Sequence, residues 1–418
     1  MEWNWDCDSP NPHAASLALM SPHWIETLRR ERNRMKKQIR VLDTTLRDGE
    51  QTPGVHMDIH EKTAIATALE ALGVATIEAG FPASSPGDAG AVRAIAEAIR
   101  GCEIAALSRC VPGDIDAAGE ALQPAVAPVM HLVIGTSDIH LAHKLRMSRA
   151  QVVAAIDRSV RHARQWSDAV QFSLEDATRS DPIFLRQCAE AAAEAGASRI
   201  NIADTVGCMT PDEFGPLIRD MVQFLGASTI VSAHCHNDMG LATANAFAAI
   251  RGGARQVEAT INGIGERAGN TALEEIAVIA ALKGAGDTGI RLDGLTAISA
   301  LVASATGVPV QPNRAIVGRN AFTHSSGIHQ DGILKAAENY QFVAPELVGK
   351  AGHDFILTAR SGRNAVFHVA KRRGHVVPES ERDRLYSEFV RFADTVHGAV
   401  DGSDLDALVA RALVGCRA

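Results

Sequence analysis

Two histidines flank a cysteine in the stretch H-C-H-N-D-M-G, residues 234–240, which could be a soft thiolate metal site or a harder catalytic one. The residues leading into it, T-I-V-S-A-H, read as a strand, and successive strand side chains face opposite ways. His234 and His236 therefore share one face, and Cys235 takes the other. Asp48, in T-T-L-R-D-G-E-Q (44–51), offers a carboxylate at the end of another strand. Two imidazoles, one carboxylate and open positions suit a Lewis-acidic divalent ion. Nitrogen and oxygen donors fit zinc, manganese, iron or cobalt, and they admit magnesium; the set does not choose among them. Arg47 stands beside Asp48, where its guanidinium can meet an oxyanion as it develops. Glu175, in F-S-L-E-D, is a base or a hydrogen-bond anchor.

These residues need a frame that gathers them. From residue 39 the chain alternates short apolar runs with segments of helical period. The strands expected are 39–46, 75–80, 103–107, 129–134, 169–174, 199–204, 229–234 and 256–261. Between them lie helical stretches such as EKTAIATALEALG and PIFLRQCAEAAAEAGA, each ending near a glycine. Near-continuous apolar strands point to buried parallel pairing. Eight strand–helix units predict an α/β fold, a (β/α)8 TIM barrel. An open dinucleotide-binding sheet would carry G-x-G-x-x-G after its first strand, and the chain has T-L-R-D-G-E-Q-T-P-G there.

In such a barrel the chemistry sits where strands end. Those positions hold Arg47, Asp48 and Gln51 after the first strand, and Leu107 and Arg109 at the third. His131 and Val133 belong to the fourth, Ser173 and Glu175 to the fifth, Thr205 to the sixth. His234 and His236 end the seventh, and Asn262, Glu266 and Asn270 follow the eighth. Packing alone does not gather polar groups from so many strand ends.

The bulk numbers exclude several classes. The chain has 418 residues, 46% of them hydrophobic, and a formal charge of −8. No apolar run reaches the roughly 18 residues of a membrane span, so no membrane partner is expected. A basic stretch, R-R-E-R-N-R-M-K-K-Q-I-R, hints at nucleic acid, but the net negative charge and the lack of stacking aromatics nearby argue for a solvated arm. The 7 cysteines form no C-x-x-C pair, which fits reduced thiols in a cytoplasm. The organisation expected is a basic arm over 1–38, a catalytic barrel over 39–285, a connecting subdomain over 286–345 and a mainly helical subdomain over 346–418.

Seven co-linear blocks carry a resemblance: D-T-T-L-R-D-G-E-Q-T-P-G, I-E-A-G-F-P-A-S-S-P-G-D, F-S-L-E-D-A-T-R-S, A-D-T-V-G, H-C-H-N-D-M-G-L-A-T-A-N, N-G-I-G-E-R-A-G-N-T-A-L-E-E and S-G-I-H-Q-D-G-I-L-K. They resemble the 2-isopropylmalate synthase branch of the TIM-barrel enzymes that condense acetyl-CoA with 2-oxo acids. Homocitrate and citramalate synthases share most of these blocks. The resemblance implies an acyltransferase that joins acetyl-CoA to a 2-oxo acid in a Claisen-type condensation, hydrolyses the thioester and releases CoA and a 2-substituted malate. It implies that Asp48, His234, His236 and, as a further or water-mediated ligand, Asn270 hold the metal. It also implies that Thr205 binds the oxo acid's carboxylate and that His329 and Tyr340 join Glu175 in proton transfer. It further implies a homodimer in which the module carrying His329 and Tyr340 reaches the partner's barrel.

The side-chain pocket is expected near Leu107, His131, Val133 and Ser173, with 2-oxoisovalerate as the substrate best matched. No lysine or arginine lies in 129–140 to pair with a second carboxylate, which counts against 2-oxoglutarate. Gly135 stands where the branch has alanine, and would admit a larger side chain if it faces the pocket. The chain stops at Ala418, short of the branch's leucine-sensing domain, so leucine inhibition of the familiar kind is not expected. Homocitrate, citramalate and specialised alkylmalate or benzylmalate synthases are the enzymatic alternatives, and an inactive scaffold is the alternative of another class.

Overall fold

A computed structural model describes residues 38–414; most of the basic arm, with Cys7, and the last residues, with Cys416, lie outside them. Eight parallel strands form a closed barrel in sequential order. They are β1 (Arg40–Asp43), β2 (Thr76–Glu78), β3 (Glu103–Arg109), β4 (Pro128–Gly135), β5 (Ala169–Glu175), β6 (Arg199–Asp204), β7 (Ile230–Cys235) and β8 (Gln256–Ala259). Closure is the pairing of β1 with β8, Arg40 opposite Gln256 through Asp43 opposite Ala259. The helices that follow the strands are α1 (Ile59–Leu72), α2 (Pro86–Ala98), α3 (Pro112–Leu122), α4 (Arg149–Ala163), α5 (Pro182–Ala195), α6 (Pro211–Leu225), α7 (Ala242–Gly252) and α8 (Leu273–Leu282). Local sequence starts them. Proline opens α2, α3, α5 and α6, where a missing N–H goes unnoticed. Reciprocal Ser148/Gln151 hydrogen bonds cap α4, and at the start of α6 Glu213 Oε2 accepts from both Thr210 N and Thr210 Oγ1.

The strands are less uniformly apolar than a buried parallel sheet suggests. In β5, Val170, Phe172 and Leu174 are fully buried, while Gln171 and Ser173, between them, make hydrogen bonds to other strands. The barrel interior is thus largely polar, and the apolar row of each strand faces the helices. At the N-terminal ends, Arg199 grips Glu103 with two nitrogens at 2.7 and 2.8 Å, and Arg40 adds a third contact at 2.6 Å. That end is sealed by charge.

By compactness the described residues form two units, 38–52 with 73–290, and 53–72 with 291–414. Residues 53–72, which include α1 and fall inside the 39–285 span, group with the second unit. That unit also contains α9 (Leu295–Thr306), β9 (Thr323–His324), α10 (Gly327–Lys335), β10 (Asp354–Phe355), α11 (Arg363–Arg372), α12 (Glu379–Ala393) and α13 (Gly402–Val414). β9 and β10 pair in parallel. Val366, Leu385, Phe389, Leu405 and Leu408 centre a core shared by α11, α12 and α13.

Candidate active site

The site is built from the loop after β1 and the ends of β7 and β8. β1 stops at Asp43, and the chain then turns tightly: Arg47 N and Gly49 N both donate to Thr44 O, at 3.1 and 3.0 Å. This turn aims Asp48 inward. Candidate ligand atoms of Asp48, His234 and His236 lie within 4.8 Å of one another, and all three residues are buried. Cys235 is buried on the opposite face of β7, as the alternation predicts, and burial pushes its thiol well above the ordinary value.

Three observations fit this cluster to a divalent ion. His236 Nδ1 and Asn270 Oδ1 are buried with no hydrogen-bond partner. Glu258 Oε2 lies 3.0 Å from His234 Nδ1, so that nitrogen donates and Nε2 is left as the ligand atom, 3.7 Å from Asp48 Oδ2. A carboxylate behind a histidine is the usual support of a metal ligand. Asn270 Nδ2 donates to Asp48 Oδ1 at 3.2 Å and to Ile264 O at 3.1 Å, which turns the amide oxygen the other way. Gly265, at φ +150°, makes this approach feasible, since a Cβ there would come within 2.3 Å of Asn270 Nδ2.

The electrostatics agree. Burial opposes charge on Asp48, but Arg47, His234 and His236 outweigh it and hold the carboxyl at about 2. Burial and the neighbouring His234 bring His236 down to about 3, so the imidazole keeps its lone pair at neutral pH. Arg47 donates to Asp48 Oδ2 at 2.6 Å and to Glu78 Oε2 at 2.7 Å. Burial disfavours the charged guanidinium, but these carboxylates raise its pKa.

Residues 38–302 match the family described as HMGL-like, and 316–397 match the homocitrate synthase post-HMGL domain-like family. The 2-isopropylmalate synthase of Listeria welshimeri is 49% identical over 378 residues, covering 89% of this chain and 74% of the relative. That of Pyrococcus furiosus is 48% identical over 381 residues, 90% of this chain and 76% of the relative. The chain belongs to the 2-isopropylmalate synthase family. The hydroxymethylglutaryl-CoA lyase of Pseudomonas aeruginosa is similar in fold, with a TM-score of 0.57 at 22% identity over 66% of this chain and 95% of the lyase.

Within this 2-isopropylmalate synthase family barrel a cavity of about 550 Å³ opens above the cluster. Arg47, Asp48, Gln51, Leu107, Arg109, His131, Val133, Ser173, Glu175, Thr205, His234 and His236, all singled out from sequence, line it. Thr205 Oγ1 accepts from Asp176 N at 2.8 Å, which leaves the hydroxyl hydrogen free to donate. Arg109 is at the rim, held by Asp114 at 2.6 Å. Both oxygens of Glu175 engage Lys144 Nζ, at 2.6 and 2.7 Å. Lys144 rides on a π-helical turn, His140–Leu145, just past the segment read as lacking a cation.

Gly135 does not enlarge the pocket. A methyl group there would lie 2.8 Å from His140 Cβ, so the space saved is filled by His140. His329 and Tyr340 lie in the second unit, with ring centroids 4.2 Å apart; the fold joins two residues that sequence spacing alone could not.

Sequence reasoning missed the barrel's inner polar layer. Glu78 is fully buried and serves Arg47, Thr44 and His131 together; burial opposes its charge, but Arg47 and His131 hold the carboxyl well below the usual range. Glu258 supports His234, and Asn201 donates to Ser173 Oγ at 2.8 Å. The available signal was a charged or amide residue in the middle of a parallel strand, where such groups need partners.

Proposed function

We propose that the chain condenses acetyl-CoA with a 2-oxo acid bearing an apolar side chain, best matched by 2-oxoisovalerate, and hydrolyses the thioester to release CoA and a 2-substituted malate. The observation that carries this reading is the buried Asp48–His234–His236 cluster with Arg47 hydrogen-bonded to its carboxylate, in a family of 2-isopropylmalate synthases.

Asp48, His234 and His236 would hold a divalent ion, with Asn270 behind them, and such an ion supplies Lewis acidity toward a keto oxygen. The protein's own groups account for the rest. The Thr205 hydroxyl donates to the oxo acid's carboxylate. Removing a proton from the acetyl methyl group needs a placed base. Glu175 and His329 both carry the chemistry, and Tyr340 lies against His329. The new carbon–carbon bond then turns the keto oxygen into an alkoxide, which the Arg47 guanidinium meets. Glu78 keeps that guanidinium aimed. Water next cleaves the thioester, and the thiol leaves as CoA.

The pocket's apolar members, among them Leu107, Val111, Val133, Ile134 and Met147, support an apolar side chain. Lys144 is already paired with Glu175, which leaves a second substrate carboxylate without that cation. In the second unit, Ile328 and Phe342 are 75% and 71% exposed, beside His329 and Tyr340 in sequence. Such exposed apolar groups favour docking on a second copy, so that the histidine–tyrosine pair completes the partner's site. The working form is then a homodimer.

The test measures thiol release from acetyl-CoA across 2-oxo acids from pyruvate through 2-oxoisovalerate and phenylpyruvate to 2-oxoglutarate. The expected result is highest kcat/KM on 2-oxoisovalerate, and loss of about 10³-fold or more in Asp48→Ala. Absence of thiol release from the parent protein with every oxo acid and each candidate metal would sink the reading.

A further inference from the structure

The pocket's polar wall is His131, Ser173 and Asn201, and the hydrogens on it can be assigned. Gln171 comes first. Its Nε2 lies 2.6 Å from Glu258 Oε1, while its Oε1 accepts from Gln256 Nε2 at 2.6 Å. Turning the amide over would set oxygen against oxygen and nitrogen against nitrogen at both contacts, so its orientation is pinned.

The same Gln171 Nε2 lies 3.2 Å from His131 Nε2. A donor therefore faces that ring nitrogen, which must be bare. On the other side of the ring, Nδ1 faces Glu78 Oε1 in a short contact and must carry the hydrogen. The Ser173 hydroxyl, 2.6 Å from His131 Nε2, then gives its hydrogen to the ring. Ser173 Oγ in turn accepts from Asn201 Nδ2 at 2.8 Å. Every one of these contacts runs inward, and the Ser173 hydrogen is committed to His131. Asn201 Oδ1 has no partner and can only accept, while Asn201 Nδ2 keeps one hydrogen beyond the one it gives to Ser173.

We propose that Gln171, fully buried and not part of the pocket surface, is a positioning residue that sets substrate selectivity by keeping His131 Nε2 bare, so that the ring takes the Ser173 hydrogen. The His131–Ser173 pair so arranged has no hydrogen to give. Side chains ending in a carboxylate or carbonyl meet acceptors there, and the desolvation they suffer is not offset; branched alkyl side chains lose nothing. This deepens the condensation reading and rests on it for the identity of the substrate. It adds that selectivity is decided one layer behind the residues that touch the oxo acid.

The experiment has two arms. Long-range proton–nitrogen spectra of protein labelled with ¹⁵N-histidine, with the His131 signals assigned by their disappearance in His131→Gln, should show Nδ1 protonated and Nε2 bare in the parent. Gln171→Met keeps the side chain's length and removes the donor. It should allow a second ring proton, on His131 Nε2 while Nδ1 still faces Glu78, which frees the Ser173 hydroxyl toward the pocket. The ratio of kcat/KM for 2-oxoisovalerate to that for oxaloacetate should then fall about tenfold, as expected of one hydrogen bond to a charged group. A protonated Nε2 in the parent overturns the proposal, and this arm uses a variant only to assign the signals. So does an unchanged selectivity ratio in a folded Gln171→Met. If no 2-oxo acid is turned over at all, the condensation reading falls, and the parent's spectrum still decides the form of His131.

Discussion

Asp43 closes β1 fully out of solvent, accepting from Thr45 N at 2.9 Å and from Thr45 Oγ1 at 3.0 Å. Burial pushes its carboxyl up to about 7 against the pull of those bonds, and Glu274 and Glu78 push the same way. Above its ordinary value of 3.8 the unfolded chain has lost a proton that the folded chain keeps. This contribution is therefore complete below that value and is lost as pH rises through about 7. Asp43→Asn should remove a decline in unfolding free energy between pH 5 and pH 8 on the order of 1–4 kcal/mol; a parent-like slope in denaturant titrations would contradict this. At the same scale the sequence made the cluster readable, because Arg47 adjoins Asp48 and the histidines stand two apart. Glu78, Gln171 and Glu258 were not readable. Each is one polar letter inside an apolar strand, and its partners lie dozens of residues away, so only barrel closure shows that it is satisfied.

The turn after β4 makes its own prediction. His140 occupies the space that Gly135 leaves open, and from the same turn Lys144 reaches Glu175. The turn ends at Arg146, at φ +53°, a conformation a non-glycine residue adopts only when its surroundings impose it. A methyl group at Gly135 would displace His140 and with it the turn. Gly135→Ala should lower unfolding free energy by about 1–3 kcal/mol, as overpacking does, and should lower kcat without widening the range of oxo acids. A variant of parent stability that gained larger substrates would show the turn to be independent of Gly135. Strand count, order and approximate limits were legible from periodicity. The π-helical turn was not, since H-L-A-H-K-L carries no spacing that separates it from an ordinary helix. Nor was the early end of β1, where the chain must break pairing to turn Asp48 inward.

The barrel as a whole separates its two ends by function. One carries the Asp48–His234–His236 cluster and the cavity, and the other is locked by Arg199, Glu103 and Arg40. Burial raises the Glu103 carboxyl, but Arg199, Thr76 and Arg40 outweigh it, and the net pKa is lowered. Its contribution is full above the ordinary glutamate value and is lost as pH falls below it. Glu103→Gln should destabilise the barrel by about 1–3 kcal/mol, discounted from a fully buried pair because Glu103 keeps some solvent. The deficit should shrink toward acid, and kcat/KM should hold in the folded fraction. A lost kcat/KM at unchanged stability would mean that the two ends are coupled.

The second unit takes its first helix, α1, from between β1 and β2 and the rest of its residues from after β8. In the gene, its coding sequence is therefore written in two pieces around most of the barrel. A single recombination point cannot graft one unit onto a foreign partner intact, and a stop codon after residue 290 would strand α1 without its companions. What looks like a detachable cassette is stitched in, and the two units must be inherited together.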